Sequence, residues 1–274
     1  MNLEDSLGDI LRKARTSTQV PPEAAAQAAG LSSDDYSAFE STGIAPAALR
    51  FEPLGKLLTL GGSRLEELVR GWRPEPVDLS RWQRFEMVTT AGDDMTVNAY
   101  LAWDPTSRAA AIFDTGFEVS EFLKSIESNQ LRLGDIFITH SHPDHVAGLG
   151  ELRRRFPAAR LHTGSPHAPT EHRLKPGETI ALGNLRVAHR LTPGHADDGV
   201  TYVITGWAGE APPVAIVGDA VFSGSMGGAR DQLTLARTKV REEIFSLPEA
   251  TLICPGHGPL TTVGQEIVHN PWFP

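Results

Sequence analysis

Cysteine is almost absent from this sequence, which has 274 residues and a single cysteine, Cys254. One cysteine excludes an intramolecular disulfide and fits a reducing compartment. Long apolar runs are also missing, because no window approaches the roughly 18 consecutive apolar residues of a membrane span. The first residues, MNLEDSLGDILRKAR, lack the basic start and apolar core of a secretory signal. We therefore expect a cytoplasmic protein without a membrane partner.

Positive charge is in deficit, since the formal net charge is −9 and the sequence pI is about 5.6. Such an acidic chain is not generally attracted to phosphate backbones or to anionic lipid. Nucleic acid is therefore not expected as a partner, and a small-molecule substrate is. The length suits one α/β enzyme core with a small additional domain.

The N-terminal quarter of the chain has apolar residues at helical spacing, interrupted by glycines, which predicts a compact bundle of short helices. These helices are expected around Leu7 to Ala14 and in PPEAAAQAAGL, SSDDYSAFES, LRFEPLGKLLTL and SRLEELVRG. The segment WRPEPVDLSRW has two prolines and no clear period, which is typical of a linker. The sequence thus predicts a helical domain at 1–75, a linker at 76–84 and a larger domain at 85–274.

After residue 84 the pattern changes to short apolar or alternating runs, which predict strands. These runs are FEMVTT, TVNAYLAW, AAAIFD, DIFITH, TYVITGW, PVAIVGD and TLICPG. Helical stretches lie between several of them, namely VSEFLKSIESN, HVAGLGELRRRF and QLTLARTKVREEIFSL. The stretch GETIALGNLRVAHRL predicts a hairpin that turns at Gly183 and Asn184. Mixed strands and helices predict an α/β sandwich whose sheets are covered by helices.

Histidine or aspartate follows three of the predicted strands and the predicted hairpin. DIFIT runs into His140, VAIVG into Asp219 and TLICPG into His257, while His195 lies in the turn LTPGHADDG after the hairpin. Loops at strand ends are where a scaffold commonly places reactive groups. These four loops are therefore candidates for one shared site.

The stretch THSHPDH is dense in metal-binding side chains. His140 and His142 project to the same side of an extended segment, so both can meet one cation at about 2.0 to 2.1 Å if it is zinc. A helix that begins near Asp144 and His145 would aim these two side chains back at the strand end. With the later loops the total is five histidines and two aspartates, which suits two ions roughly 3.5 to 4 Å apart that share a carboxylate and a water.

These motifs resemble those of the metallo-β-lactamase fold superfamily, whose HxHxDH motif is matched by residues 140–145. The later motifs TPGH, VGDAVF and PGHGP match in order, and the resemblance spans roughly residues 84 to 274. It implies an αββα sandwich preceded by a small all-helical domain. It also implies a first metal held by His140, His142 and His195, and a second held by Asp144, His145 and His257. Asp219 would bridge the two metals, and Asp114 in IFDTG would support the metal loop without being a ligand.

Within this superfamily, GDAVFSGSMG and CPGHGPLTTVGQEIVHNPWF resemble the glyoxalase II-like branch. The resemblance implies a hydroxyacylglutathione hydrolase-like enzyme that acts on a thioester or related ester. A hydroxide shared by two cations would attack the carbonyl, and Asp144 would accept or relay a proton. Two divalent ions are expected, zinc first, with iron or manganese as alternatives because sites of histidine and aspartate accept all three.

A second hypothesis keeps the fold and changes the reaction. A persulfide dioxygenase of the same branch would bind a single iron through His140, His195 and Asp219. Both chemistries use residues that the sequence contains, so oxygen consumption with glutathione persulfide is needed to distinguish them.

The N-terminal stretches GDILRKAR, PPEAAAQAAGLSSDDYSAFEST and SRLEELV resemble helix-turn-helix domains of the Cro/repressor type, with Gly30 at the turn. This resemblance implies a third hypothesis, a DNA-binding regulator whose metal domain senses a metabolite. The helix that would enter the major groove offers Ser33, Asp34, Asp35, Ser37 and Glu40, with no arginine or lysine. Residues 1–75 hold eight basic and eleven acidic side chains, a net charge of −3. Because basic contacts supply most of the affinity of DNA binders, we favour a domain that walls the active site or forms a homodimer.

Overall fold

Two β-sheets form the centre of the computed structural model, which describes residues 2–92, 95–175 and 177–274. The five-stranded sheet runs in chain order through β1 (Phe85–Gly92), β2 (Met95–Trp103), β3 (Ala109–Phe113), β4 (Arg132–Ile138) and β5 (Arg160–Thr163). The six-stranded sheet contains β6 (Thr179–Leu182), β7 (Leu185–Leu191), β8 (Val200–Thr205), β9 (Val214–Gly218), β10 (Leu252–Pro255) and β11 (Thr261–Thr262). Its spatial order is β11-β10-β9-β8-β7-β6. Strands β3, β4 and β5 are parallel, as are β9 and β10, so their carboxyl ends lie at common edges.

Ten α-helices surround the sheets in the described ranges. The N-terminal ones are α1 (Leu7–Ser17), α2 (Pro22–Ala29), α3 (Ser33–Thr42), α4 (Phe51–Leu58) and α5 (Gly62–Val69). The later ones are α6 (Ser120–Ser128), α7 (Pro143–Val146), α8 (Leu149–Arg155), α9 (Leu233–Lys239) and α10 (Val263–His269). Helix α9 continues as a π-helical turn over Val240–Ile244. Among these helices, none is long and apolar enough to cross a membrane.

The layers follow from the alternation of side chains along the strands. Ala111 and Phe113 of β3 belong to the apolar cluster between the two sheets, while Ala110 and Ile112 pack in the cluster that contains Phe122 of α6. On the far side, the second sheet shares a cluster with α9 and its π-helical turn. This helix-sheet-sheet-helix order confirms the predicted αββα sandwich.

The N-terminal helices pack directly against the second half of the chain. Ile10 of α1 and Leu65 of α5 lie in the same buried cluster as Met226 and Trp272. Polar contacts reinforce this packing, because the Arg64 guanidinium donates to backbone carbonyls of residues 270 and 273. The predicted domain limits at residues 75 and 84 stay predictions.

The predicted strands and helices are present, but one predicted helix is divided, and the elements β5, β11 and α10 were not predicted. HVAGLGELRRRF was expected to form one helix, but the chain breaks between α7 and α8 at Ala147 and Gly148. A Cβ on Gly148 would lie 2.4 Å from a methyl of Val119. The helix is therefore interrupted at a glycine whose backbone lies close to Val119. Strand β5 was not predicted, because RLHT is short and has little apolar alternation to mark it. The predicted hairpin turns at Gly183 and Asn184, where Gly183 has a φ of +61°.

Glu266 of α10 gives the fold a testable pH dependence. Its carboxylate is fully buried and accepts hydrogen bonds from the amide of Gly224 (3.0 Å), the side chain of Asn270 (2.8 Å) and the hydroxyl of Thr261 (2.8 Å). Burial outweighs these bonds and raises the pKa of Glu266 from 4.5 to about 7. The Glu266 carboxyl therefore holds its proton more tightly in the folded chain than in the unfolded chain. Its contribution to stability is complete below pH 4.5 and is lost as the pH rises towards 7. We expect Glu266→Gln to gain stability relative to the wild type between pH 4.5 and pH 8, by up to about 3 kcal/mol.

Urea unfolding of both proteins at the two pH values measures this effect, because titration of every other group cancels in the difference. Glu127→Gln, at an exposed position of α6, is the matched control and should show no such change. A difference between Glu266→Gln and the wild type that does not vary with pH would contradict the prediction.

Candidate metal centre

The structure brings all seven predicted ligand residues together at one edge of the sandwich. His140 and His142 follow β4, Asp144 and His145 lie on α7, and the remaining three, His195, Asp219 and His257, follow β7, β9 and β10. Their nitrogen and oxygen atoms form three overlapping groups, with all atoms of a group within 4.8 Å of one another. These groups are His140, His142 and His195; His140, His145 and Asp219; and Asp144, His145 and His257.

The first predicted metal position lies among three imidazoles. Nδ1 of His142 is 3.1 Å from Nε2 of His140 and 3.0 Å from Nε2 of His195. The outward nitrogens are held, since Nδ1 of His140 lies 3.1 Å from the hydroxyl of Thr139 and Nδ1 of His195 lies 3.0 Å from the carbonyl oxygen of Gly228. Three ligands of a tetrahedral zinc ion would lie about 3.3 Å apart, so these nitrogens have the spacing of a metal site.

The second predicted position lies on the other side of the cluster. Oδ2 of Asp144 is 3.2 Å from Nε2 of His257 and 3.4 Å from Nε2 of His145. The His257 ring is oriented by its Nδ1, which lies 2.6 Å from the carbonyl oxygen of Thr96 in β2. Both imidazoles therefore direct Nε2 towards the same carboxylate oxygen.

Asp219 lies between the two positions. Its Oδ2 is 3.4 Å from Nε2 of His195 and 3.5 Å from Nε2 of His257, while its Oδ1 is 3.3 Å from Nε2 of His145. A Cβ on Gly256 would come within 2.3 Å of Oδ1 of Asp219, which explains a glycine before His257. One carboxylate thus faces histidines of both predicted positions.

Two atoms test whether these residues fit a metal. Nε2 of His145 and Oδ1 of Asp219 are buried and lie 3.3 Å apart, but the angles between them are not those of a hydrogen bond, so neither atom has a hydrogen-bond partner among the described residues. An unpaired buried polar atom costs about 1 to 3 kcal/mol, so native structures seldom leave one unsatisfied. Imidazole nitrogens and carboxylate oxygens are ligands for zinc, iron and manganese. The donor set therefore fits divalent cations.

Asp114 contacts the cluster from behind, as the family resemblance implies. Its Oδ2 is 2.8 Å from Nδ1 of His145 and accepts from the hydroxyl of Thr139 (2.7 Å), and its Oδ1 accepts from the amide of Thr139 (2.8 Å). The aspartate is buried and has a φ of +57°, a left-handed conformation that Asp and Asn adopt more readily than most residues. This carboxylate fixes the His145 ring and the start of the histidine loop together.

Burial keeps two of the imidazoles neutral. It is the main cause that lowers the pKa of His140 to about 2, and the nearby ring of His145 adds to the effect. Burial also lowers the pKa of His195. A neutral imidazole has a free lone pair, which is the form that binds a metal.

The carboxylates dominate elsewhere in the cluster. Burial lowers the pKa of His145, but Asp114 and Asp219 outweigh it and raise that pKa well above its usual value. Burial also opposes charge on His257, yet its hydrogen bonds to Asp144 and Asp219 raise its pKa to about 10. Conversely, burial favours protonation of Asp219, and His145 and His257 outweigh it to hold the pKa of Asp219 well below its usual range. The anionic carboxylates of the cluster are therefore balanced by protonated histidines, or by metal ions when these are bound.

A cavity of about 600 Å³ opens beside His142 and His195. Its other lining side chains include Ser141, His167, Asp197, Asp198, Arg230 and Asp231. No substrate-binding residue was predictable from the sequence, because the lining is assembled from separate loops that share no motif. Proximity to the histidines in sequence marks only Ser141 and the two aspartates that follow His195.

Comparison with known proteins gives one consistent family. The family described as "Metallo-beta-lactamase superfamily" matches residues 92–167. The chain is similar to hydroxyacylglutathione hydrolase GloC of Haemophilus influenzae, with 28% identity over 64% of this chain and 92% of that protein. It is also similar to the mitochondrial persulfide dioxygenase ETHE1 of Homo sapiens, with 31% identity over 63% of this chain and 69% of that protein. Among solved structures, the B3 metallo-beta-lactamase BLEG-1 aligns with a TM-score of 0.57 and 30% identity, over 69% of this chain and 99% of that one.

Proposed function

We propose that this chain, which belongs to the metallo-beta-lactamase superfamily, is a metal-dependent hydrolase that acts on a thioester or a related ester. The position of Asp219 carries the proposal, because its Oδ2 lies 3.4 Å from Nε2 of His195 and 3.5 Å from Nε2 of His257. A carboxylate shared in this way suits two neighbouring ions. The similarity to a hydroxyacylglutathione hydrolase supports the thioester as the substrate class.

We assign two divalent ions to the cluster, zinc first and iron or manganese as alternatives. His140, His142 and His195 would hold one ion and Asp144, His145 and His257 the other, with Asp219 common to both. When bound, such ions lower the pKa of water to about 7 and polarise a carbonyl oxygen, which is the chemistry that ester hydrolysis requires.

Residues of the chain itself would transfer protons and admit the substrate to the site. Asp144 keeps 15% of its side-chain surface exposed, against 8% for Asp219, so it is the carboxylate that can exchange a proton with substrate or water. Its pKa is lowered because the hydrogen bond from His257 and the nearby His145 outweigh burial, so it is anionic near neutral pH and can act as a base. The adjacent cavity of about 600 Å³ has the volume of a small-molecule site.

DNA binding is not part of this proposal. The exposed side chains of α3 include Asp34 and Asp35 and no arginine or lysine, so the surface that would face phosphates is acidic. A cytoplasmic location and a homodimer formed through the N-terminal helices stay predictions from the sequence.

A second candidate is a persulfide dioxygenase that uses one iron. The 31% identity to ETHE1 favours it, and the cluster contains the two histidines and one carboxylate typical of such iron sites, His140, His195 and Asp219. We rank it second because Asp144, His145 and His257 form a further complete group of ligands that one ion would not need.

The proposal is tested by metal analysis coupled to an activity panel. We expect purified protein to contain about two equivalents of zinc, iron or manganese and to hydrolyse glutathione thioesters faster than lactones or phosphoesters. Chelation should abolish the hydrolysis, and restored metal should recover it. His140→Ala should remove the activity, while His189→Ala, on β7 away from the cluster, should retain it.

Absence of bound transition metal, with hydrolysis unchanged in His140→Ala, would overturn the proposal. One equivalent of iron and oxygen consumption with glutathione persulfide would instead support the second candidate.

A further inference from the structure

The segment 222–229, which follows Asp219 and precedes α9, touches the metal centre at several points. The carbonyl oxygen of Gly228 lies 3.0 Å from Nδ1 of His195, and the amide of Gly227 donates to the carbonyl oxygen of Asp219 (3.0 Å). The ring of Phe222 meets the ring of His257 edge to face, with centroids 5.7 Å apart. The position of this segment therefore sets the orientation of the His195 ring.

There is little room for this segment to move without moving His195. A Cβ on Gly227 would lie 2.6 Å from Nδ1 of His195 and 2.3 Å from the carbonyl oxygen of Asp219. Whatever anchors the segment thus acts on the imidazole.

The C-terminal part of the chain holds one side of the segment. The side chain of Asn270 donates to the carbonyl oxygens of Phe222 (3.3 Å) and Ser225 (2.8 Å), and Glu266 accepts from the amide of Gly224 (3.0 Å). These contacts fix residues 222–225 and do not reach Met226.

The N-terminal helical region holds the other side through an ion pair. Nζ of Lys13 lies 2.7 and 2.9 Å from the carboxylate oxygens of Asp5, and the same carboxylate accepts from the hydroxyl of Ser225 (2.5 Å). Nζ of Lys13 also donates to the carbonyl oxygen of Met226 (3.3 Å) and lies 5.4 Å from the centre of the Phe222 ring. The pair is shielded from water, with 8% of the Asp5 side chain and 27% of the Lys13 side chain exposed.

The same N-terminal stretch also lies against the loop that carries His257. A Cβ on Gly258 would be 3.1 Å from both the Cβ and the amide nitrogen of Glu4, so the two backbones are in close contact. Apolar packing surrounds the polar anchor, because Leu7 and Ile10 share a buried cluster with Met226. Residues 4–13 therefore contact segments on both sides of the cluster.

We infer that Asp5 and Lys13 are positioning residues of the metal centre: they hold segment 222–229 so that the carbonyl of Gly228 orients His195 towards its cation. The inference rests on the proposed function for the role of His195 as a ligand. Apolar packing alone can hold the helices in place, but hydrogen bonds to Ser225 and Met226 fix which backbone atoms face the site.

The test compares Asp5→Ala and Lys13→Met in the full-length chain. The second variant keeps an unbranched side chain of similar length and removes the charge and the hydrogen-bond donors of Nζ, so it remains informative if Asp5→Ala folds poorly. Hydrogen exchange of peptides that cover 219–230 reports the segment without any metal. Chelator competition reports zinc affinity, and the absorption spectrum of the Co²⁺-substituted protein reports the ligand field. In both variants we expect faster hydrogen exchange in residues 219–230 and an altered Co²⁺ spectrum. We also expect a 10- to 100-fold loss of zinc affinity at one of the two positions, which is the range seen for residues that orient metal ligands.

Glu40→Ala is the matched control. Glu40 pairs with Arg15 of α1 at 2.7 Å and is similarly shielded, with 11% and 19% of the two side chains exposed. That pair joins α1 to α3 and lies within the N-terminal helices, so its loss should lower the melting temperature without changing the exchange of 219–230, the zinc affinity or the Co²⁺ spectrum.

Unchanged exchange and affinity in folded Asp5→Ala or Lys13→Met would overturn the inference, as would equal changes in Glu40→Ala. If the wild type binds no cation, the proposed function fails and the role of His195 fails with it. The exchange comparison would then still decide whether Asp5 and Lys13 hold the segment.

Discussion

Asp219→Ala is expected to lower kcat/KM by more than about 100-fold, because residues that only orient metal ligands already contribute 10- to 100-fold. The expectation follows from the place of this carboxylate, whose oxygens lie 3.3 to 3.5 Å from Nε2 of His145, His195 and His257. Removing it takes one ligand from each predicted metal position at once. Metal stoichiometry should therefore fall at both positions, and added zinc should raise the melting temperature less than in the wild type.

Single changes on either side of the cluster sharpen this prediction. His142→Ala should weaken one ion and Asp144→Ala the other, as judged by stepwise chelator titration. Asp78→Ala, at an exposed position that caps a short 3₁₀ helix, should leave metal content and activity unchanged. If Asp219→Ala lost only one ion, as the His142→Ala and Asp144→Ala variants should, the assignment of Asp219 to both metal positions would be wrong.

The clustering of the seven candidate ligands was predictable because several of them follow strands that are easy to recognise. Short apolar runs ending in His140, Asp219 and His257 mark buried strands, and parallel neighbours bring their ends to one edge. The spacing of HSHPDH places two candidate ligands at the strand exit and two on the next helical turn, and α7 confirms that turn. Local pattern predicted that these seven residues meet at one site, and the family resemblance supplied their division between two ions, which stays a prediction.

Other features depend on contacts between distant parts of the chain, which a local pattern does not encode. His142 presents Nδ1 to the cluster while His195 presents Nε2. The orientation of the His195 ring is set by the contact of its Nδ1 with the carbonyl oxygen of Gly228. The contact of Lys13 with Met226 joins residues 213 positions apart. Lys13 and Met226 lie in two separate motifs, and nothing in either motif indicates the other, so the sequence predicted N-terminal helices without predicting how they pack.

Asp114→Asn is expected to lower kcat/KM and the affinity for one ion by about 10- to 100-fold, although the residue touches no substrate. In the wild type both oxygens accept: Oδ2 faces Nδ1 of His145 at 2.8 Å, and Oδ1 faces the amide of Thr139 at 2.8 Å. The amide of asparagine has one acceptor and one donor, so either orientation places a donor against a donor. If the NH₂ group faces His145, the ring must carry its proton on Nε2, which removes the lone pair that would bind the ion. If it faces Thr139, a buried N–H loses its acceptor, which costs about 1 to 3 kcal/mol.

Asparagine tolerates the left-handed backbone at this position, where φ is +57°, so the substitution tests the hydrogen bonds without adding backbone strain. The chain provides a matched control in Asp135→Asn. Asp135 is also buried and also bonded to a histidine, with Oδ1 2.7 Å from Nε2 of His162, but that pair lies on β4 and β5 outside the cluster. Both variants should lose stability in urea unfolding, and only Asp114→Asn should lose metal affinity and shift the ¹⁵N resonances of His145 to the other tautomer. Equal metal affinities in the two variants would show that the bond between Asp114 and His145 serves the fold alone.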